Sequence, residues 1–257
     1  MPTTLITGAS SGLGAEMARQ LAHRGWDLAL CARRTDRLEE LRDEIMAADP
    51  GRRVEVRALD VTDDDAVFEV FRAFRDDFGT IDRVVVNAGL GKGAPFGTGK
   101  FYANRQTAMV NFVGAMAQME AAMEIFREQR RGHLVVVSSI TAMRGMRKAM
   151  TSYAATKAGV AALAEGIRSE MRRSPDLDIR VSTLYPGYIR SEMNEKVEQQ
   201  TAFMVDTETG VRDMVEAMEA EKASALLPAW PWRPIGLMLR HLPEPVLRQL
   251  PGVKRFV

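Results

Sequence analysis

The chain has 257 residues, 35 of them lysine or arginine and 34 aspartate or glutamate, with 46% apolar residues and a single cysteine. The near-zero balance gives no basic field for nucleic acid, and one thiol, Cys31, excludes an internal disulfide framework and suits a reducing, cytoplasmic setting. "MPTTLITGAS" enters an apolar strand at once, which predicts no signal peptide, and no run reaches the ~20 apolar residues of a membrane span.

In chain order, strands are predicted at 3–7, 27–32, 53–59, 82–88, 132–139 and 178–185, and helices over 12–24, 36–48, 63–78, 104–130 and 152–173. The central strands are nearly unbroken apolar runs, the pattern of strands covered on both faces. Pro50 and Gly51 stop the second helix. Strand–helix alternation of this kind predicts an α/β fold, a doubly wound parallel sheet with helices on both faces and right-handed crossovers. That single domain is expected over residues 1–228. The last 35 residues are rich in proline and tryptophan, and a short strand followed by two short helices bounded by Pro234, Pro243, Pro245 and Pro251 is predicted there, with 229–257 set apart as an apolar extension. Such a tail either packs on the core or forms an apolar flap facing a substrate, a second subunit or a membrane surface.

"LITGASSGLG" sets Gly8, Gly12 and Gly14 between the first strand and the first helix. Gly8 permits the tight turn, Gly12 a close approach of backbone to diphosphate, and Gly14 close packing of helix on strand. N–H groups at the helix start then favour an anionic ligand. This predicts a dinucleotide site of the Rossmann type. Where an NAD site usually carries an acid, at the end of the second strand, this chain has Ala32 followed by Arg33 and Arg34. A guanidinium can hold a 2′-phosphate, so NADP(H) is the expected cofactor; a solvated basic turn is the plainer alternative.

"TGASSGLG", "NAG" at 87–89, "SS" at 138–139 and "YAATK" at 153–157, in this order and spacing, resemble the short-chain dehydrogenase/reductase family to about residue 190. The resemblance implies a cofactor cleft formed by Gly8, Ser10, Ser11, Gly12, Leu13, Gly14, Arg33, Arg34, Asp60, Val61, Asn87, Ala88, Gly89, Tyr153, Lys157, Pro186, Gly187, Ile189 and Ser191. Within it Asp60 would meet the adenine and Asn87 would steady the central strands. Pro186 and Gly187 would turn beneath the nicotinamide, with Ile189 at its carboxamide. The implied catalytic set is Asn111, Ser139, Tyr153 and Lys157. Ser139 lies fourteen residues before Tyr153 where thirteen is common in the family, which leaves Ser138 as the alternative.

Tyr153 and Lys157 share one helix face. A phenol can exchange a proton with a carbonyl or alcohol oxygen, and a nearby ammonium is expected to lower its pKa. Ser139 would stabilise charge developing on the substrate oxygen. The resemblance adds that Lys157 holds the nicotinamide ribose and that Asn111 holds a water linking Lys157 to solvent. No metal is expected: His23, His133 and His241 are scattered.

A lid is expected near 190–206. Met193, Phe203, Met204 and Val205, with Met143 and Met146, would form an apolar wall favouring a hydrophobic, long-chain 3-oxoacyl type of ketone. Stretches such as "ALCARRTDRLEEL" and "PAWPWRPIGLML" are similar to an actinobacterial subgroup that includes a reductase of 3-oxo-mycolic acid precursors. Ala108, Ala115, Met116, Met119 and Met123 suggest a subunit face, consistent with the family's homodimers and homotetramers. Contact of 229–257 with the inner face of a membrane would suit a lipid substrate. The rival class is an NADP(H)-binding redox sensor or membrane-associated scaffold without turnover; retention of both Tyr153 and Lys157 favours the enzyme.

Overall fold

A computed structural model of the protein describes residues 1–192, 203–247 and 249. Every residue of β1 (Thr3–Thr7) and β4 (Arg83–Val86) is buried, as the unbroken apolar runs require. With β2 (Asp27–Ala32), β3 (Val54–Ala58), β5 (Arg131–Val137), β6 (Asp178–Pro186) and β7 (Ser224–Leu227) they form one sheet in the order β3-β2-β1-β4-β5-β6-β7. Every pairing is parallel.

Helices cover both faces. On one side α1 (Gly12–His23), α2 (Thr35–Ala48) and α7 (Thr207–Glu219) contribute Met17, Leu21, Leu38, Ile45, Met214 and Met218 to a continuous core. On the other, α3 (Asp64–Phe78), α5 (Gly114–Gln129) and α6 (Met150–Met171) contribute Phe71, Phe74, Met119, Phe126 and Val160. Ala115, Met119 and Met123, expected on a subunit face, are buried in this second core, so of that stripe only Met116 is exposed.

The helix predicted over 104–130 is interrupted. α4 (Phe101–Ala108) passes into a π turn (Met109–Val113) before α5 begins. α7 lies outside the helices that the sequence predicts, although Val211, Met214, Val215 and Met218 have amphipathic spacing and Asp206 caps it by accepting from Thr209 N at 2.8 Å.

After β7 come α8 (Ala229–His241) and α9 (Glu244–Leu247). Pro234 lies inside α8 rather than bounding it, just beyond the non-helical Trp230. Trp232, Ile235 and Leu239 pack with Ile140, Met146 and Ala154 in a third apolar cluster, while Trp230 and Leu237 stay exposed. The extension therefore both packs on the core and presents apolar surface. Among the described residues no helix is long and apolar enough to cross a membrane.

Candidate active site

β1 leads into α1 on one face of the sheet and β4 leads towards α5 on the other, so a crevice opens at the carboxyl ends of these neighbouring strands. Thr7 and Asn87 clasp the two ends. Thr7 Oγ1 accepts from the N–H groups of Asn87 and Ala88, each at 3.0 Å, and Asn87 Nδ2 donates to the Thr7 carbonyl at 2.9 Å. Gly8 has φ 66°, and a Cβ there would lie 2.8 Å from Ala88 Cα; a Cβ on Gly14 would lie 2.4 Å from the Gly8 carbonyl oxygen. Only glycine fits either place. Ser11 precedes α1 without a side-chain cap, which leaves the first-turn N–H groups to an anionic ligand.

The crevice is a cleft of about 580 Å³ lined by every predicted site residue except Asn111. Gly8, Ser10, Ser11, Gly12, Leu13 and Gly14 form one wall. Arg33, Arg34, Asp60 and Val61 follow the ends of β2 and β3, Asn87, Ala88 and Gly89 follow β4, and Pro186, Gly187, Ile189 and Ser191 come from the end of β6 and beyond. Asp60 Oδ1 accepts from the Thr62 amide and hydroxyl. Burial pushes its carboxyl upward, but those bonds and the Arg33 charge outweigh it and hold it below its ordinary value.

Ser139, Tyr153 and Lys157 converge in this cleft. Ser138 Oγ donates to the Lys157 carbonyl at 2.7 Å, whereas Ser139 Oγ accepts from the Thr141 amide at 3.2 Å and its hydroxyl lies close enough to the Tyr153 phenol to favour the phenolate. The two serines thus face different tasks. Lys157 Nζ donates to the Val137 carbonyl at 2.8 Å.

The expectation of an acidified phenol is overturned here. Burial pushes Tyr153 up to about 12, outweighing the opposing effect of the Ser139 hydroxyl, and burial lowers Lys157 to about 8. The walls that shape the cleft strip water from both groups and disfavour both charged forms.

Asn111 stands behind the lining, inside the π turn. Its Oδ1 accepts from Leu90 N at 2.7 Å and its Nδ2 donates to Leu90 O at 2.9 Å. The wide turn brings this amide against the chain that follows β4. A Cβ on Gly89 would lie 3.6 Å from both Asn111 Oδ1 and Lys157 Nζ.

Met143 and Met146 do not line the cleft; they belong to the cluster around Trp232. Phe203 meets the Trp232 ring edge-on at 6.2 Å, Val205 pairs with Ile189, and Met193 lies outside the described residues. The apolar lining near Tyr153 comes instead from Leu90, Ile140, Met150 and Tyr188. Glu192 also lines the cleft, bound to Arg34 by a two-pronged ion pair. No local motif signals it.

The family model for short chain dehydrogenases matches residues 2–202. The chain is a member of the short-chain dehydrogenase family. An uncharacterized oxidoreductase of Mycobacterium tuberculosis is 48% identical to this short-chain dehydrogenase over 245 residues, 95% of each chain. A short-chain dehydrogenase from Sphingobium yanoikuyae in complex with NADPH superposes with a TM-score of 0.79 at 26% identity, covering 88% of this chain and 87% of the other. A family member from Burkholderia phymatum in complex with NAD shares the fold, with a TM-score of 0.81 at 21% identity and coverage of 93% and 92%. The protein is accordingly a short-chain dehydrogenase of the class that interconverts carbonyl and alcohol groups with a nicotinamide cofactor. Its subgroup match is to an uncharacterized mycobacterial oxidoreductase, not specifically to a 3-oxo-mycolate reductase.

Proposed function

We propose that this dehydrogenase is an NADP(H)-dependent reductase of a hydrophobic ketone, with Tyr153 as proton donor. The observation that carries the reading is the convergence of the Tyr153 phenol, the Ser139 hydroxyl and the buried Lys157 ammonium in a cleft that also presents Arg33 and Arg34. The glycine cradle, open α1 start and paired arginines fit a phosphorylated dinucleotide. When bound, that cofactor supplies hydride.

Tyr153 remains protonated across the physiological range, as a donor to a ketone oxygen requires. Ser139 hydrogen-bonds that oxygen and stabilises its developing negative charge. Lys157, beside Gly89 and Asn111, holds a positive charge near the phenol, and a water held at Asn111 links Lys157 to solvent and completes the proton path. Leu90, Ile140, Met150 and Tyr188 give the ketone an apolar seat and exclude bulk water. A 3-oxoacyl chain would extend towards the aromatic pair Tyr188 and Trp232, whose ring centres are 5.5 Å apart.

The test is a panel of ketones of rising chain length, followed by NADPH absorbance in the parent and in Tyr153→Phe. Turnover that increases with chain length and drops ~10²- to 10⁴-fold in the variant, with NADPH binding intact, is expected. Parent-rate turnover in the variant would remove Tyr153 from the proton step.

A further inference from the structure

Arg34 already holds an anion of the protein's own making. Its Nη1 donates to Glu192 Oε1 and its Nη2 to Glu192 Oε2, each at 2.9 Å, while Nη2 also reaches Ser11 Oγ at 2.7 Å and Nε reaches Ser10 Oγ at 3.3 Å. Arg37 Nη1 adds a weaker contact to Glu192 Oε1 at 3.4 Å. Two serines of the glycine loop, one guanidinium and one carboxylate thus form a closed cluster on the cleft wall. From these contacts we infer that Glu192 is a specificity-determining residue, whose carboxylate occupies the Arg34 edge that a 2′-phosphate needs and so sets the preference between NADP(H) and NAD(H).

The chemistry follows from the shape of the guanidinium. A carboxylate and a phosphate both seek two parallel N–H bonds, and the same edge cannot serve both at once. A cofactor carrying a 2′-phosphate must exchange the Glu192 pair for its own. One lacking that phosphate binds with the pair intact. The cost therefore falls on NADP(H) alone, and Arg37 remains to hold the displaced carboxylate. Glu192 stands 158 residues from Arg34 in sequence, on the stretch that follows β6. The carboxylate missing at Ala32 is in this way supplied from the other half of the chain.

This inference rests on reading Arg34 as the 2′-phosphate residue, and the experiment separates the two. Dissociation constants for NADPH and NADH are measured by titration calorimetry for the parent, Glu192→Gln, Arg34→Ala and the double variant. Glu192→Gln is expected to tighten NADPH about two- to fivefold, the scale of an exposed ion pair, with NADH unchanged. The gain should vanish in the Arg34→Ala background. If Glu192→Gln weakens NADPH, or shifts both cofactors alike, the role of Glu192 is overturned. If Arg34→Ala weakens both cofactors equally, the phosphate reading itself fails. Selective loss of NADPH in Arg34→Ala with no effect of Glu192→Gln would sink the inference and leave that reading standing.

Discussion

Lys157 Nζ lies 6.0 Å from the centre of the Tyr153 ring and is hydrogen-bonded to a neutral carbonyl, that of Val137, rather than to an acid. Burial without a counter-charge lowers its pKa to about 8, whereas Tyr153 is pushed up to about 12. The lysine is therefore the group of the pair that loses its proton first as pH rises. In ketone reduction kcat/KM should be level below about pH 8 and fall above it, as the ammonium is lost. A pH–rate profile at saturating NADPH checks this. Lys157→Met should abolish the alkaline limb together with most of the activity.

Arg33 and Arg34 reach the cleft from the end of β2, Arg33 close enough to Asp60 to stabilise its carboxylate. Replacing both with alanine should weaken NADPH by an order of magnitude or more, since charge-assisted bonds contribute ~1.5–3 kcal/mol each, and leave NADH within about twofold. Cofactor fluorescence titration is the measurement. Equal weakening would reject the phosphate assignment.

Gly187 lies directly under the Trp232 indole. A Cβ there would fall 2.1 Å from Trp232 Cε2, and Trp232 is fully buried. Gly187→Ala must expel or tilt the indole and should cost ~1–3 kcal/mol in denaturant unfolding, the usual scale of core overpacking. Because the same indole packs on Tyr188 in the cleft wall, KM for the ketone should rise as well. A variant as stable as the parent would show that the extension yields freely.

His133 predicts how the fold responds to acid. Arg83 Nε donates to His133 Nδ1 at 3.1 Å, so the ring proton sits on Nε2, 2.8 Å from Ser182 Oγ. Arg83 is in turn tied to Glu219 and lies over the Trp26 ring. Burial, with the Arg83 and Arg180 charges, lowers His133 to about 3 from an ordinary 6.5. Between these values the unfolded chain binds a proton that the folded chain refuses. Stability should therefore fall as pH drops from about 6.5 towards 3, with a slope near 1.4 kcal/mol per pH unit from this residue. His133→Gln should flatten that part of a urea-unfolding series. An unchanged slope would mean that the ring is protonated in the folded state.

Much of the architecture is legible because its signals are local. Unbroken apolar strands, the glycine spacing and the Tyr153–Lys157 offset each act within one element or one turn. α7 has no predicted counterpart and Pro234 falls inside α8, whereas the five helices predicted before residue 174 lie within a few residues of their observed bounds, except where α4 and α5 meet. There the Asn111 amide bonds to Leu90, 21 residues earlier, and helix periodicity carries no trace of that contact. The acidity assigned to Tyr153 failed for a related reason. Spacing brings two side chains onto one face, but the balance between desolvation and charge depends on how deeply the other strands bury them.

By itself the sequence determined the parallel sheet, the glycine turn that opens α1 and the residue types that could carry hydride chemistry, because backbone sterics and helical periodicity act over a few residues. Only the tertiary structure decided which serine faces Tyr153, that Trp232 roofs Gly187, and that Glu192 closes on Arg34. Those pairings join segments far apart in the chain, and packing selects them from the many contacts that composition alone would allow.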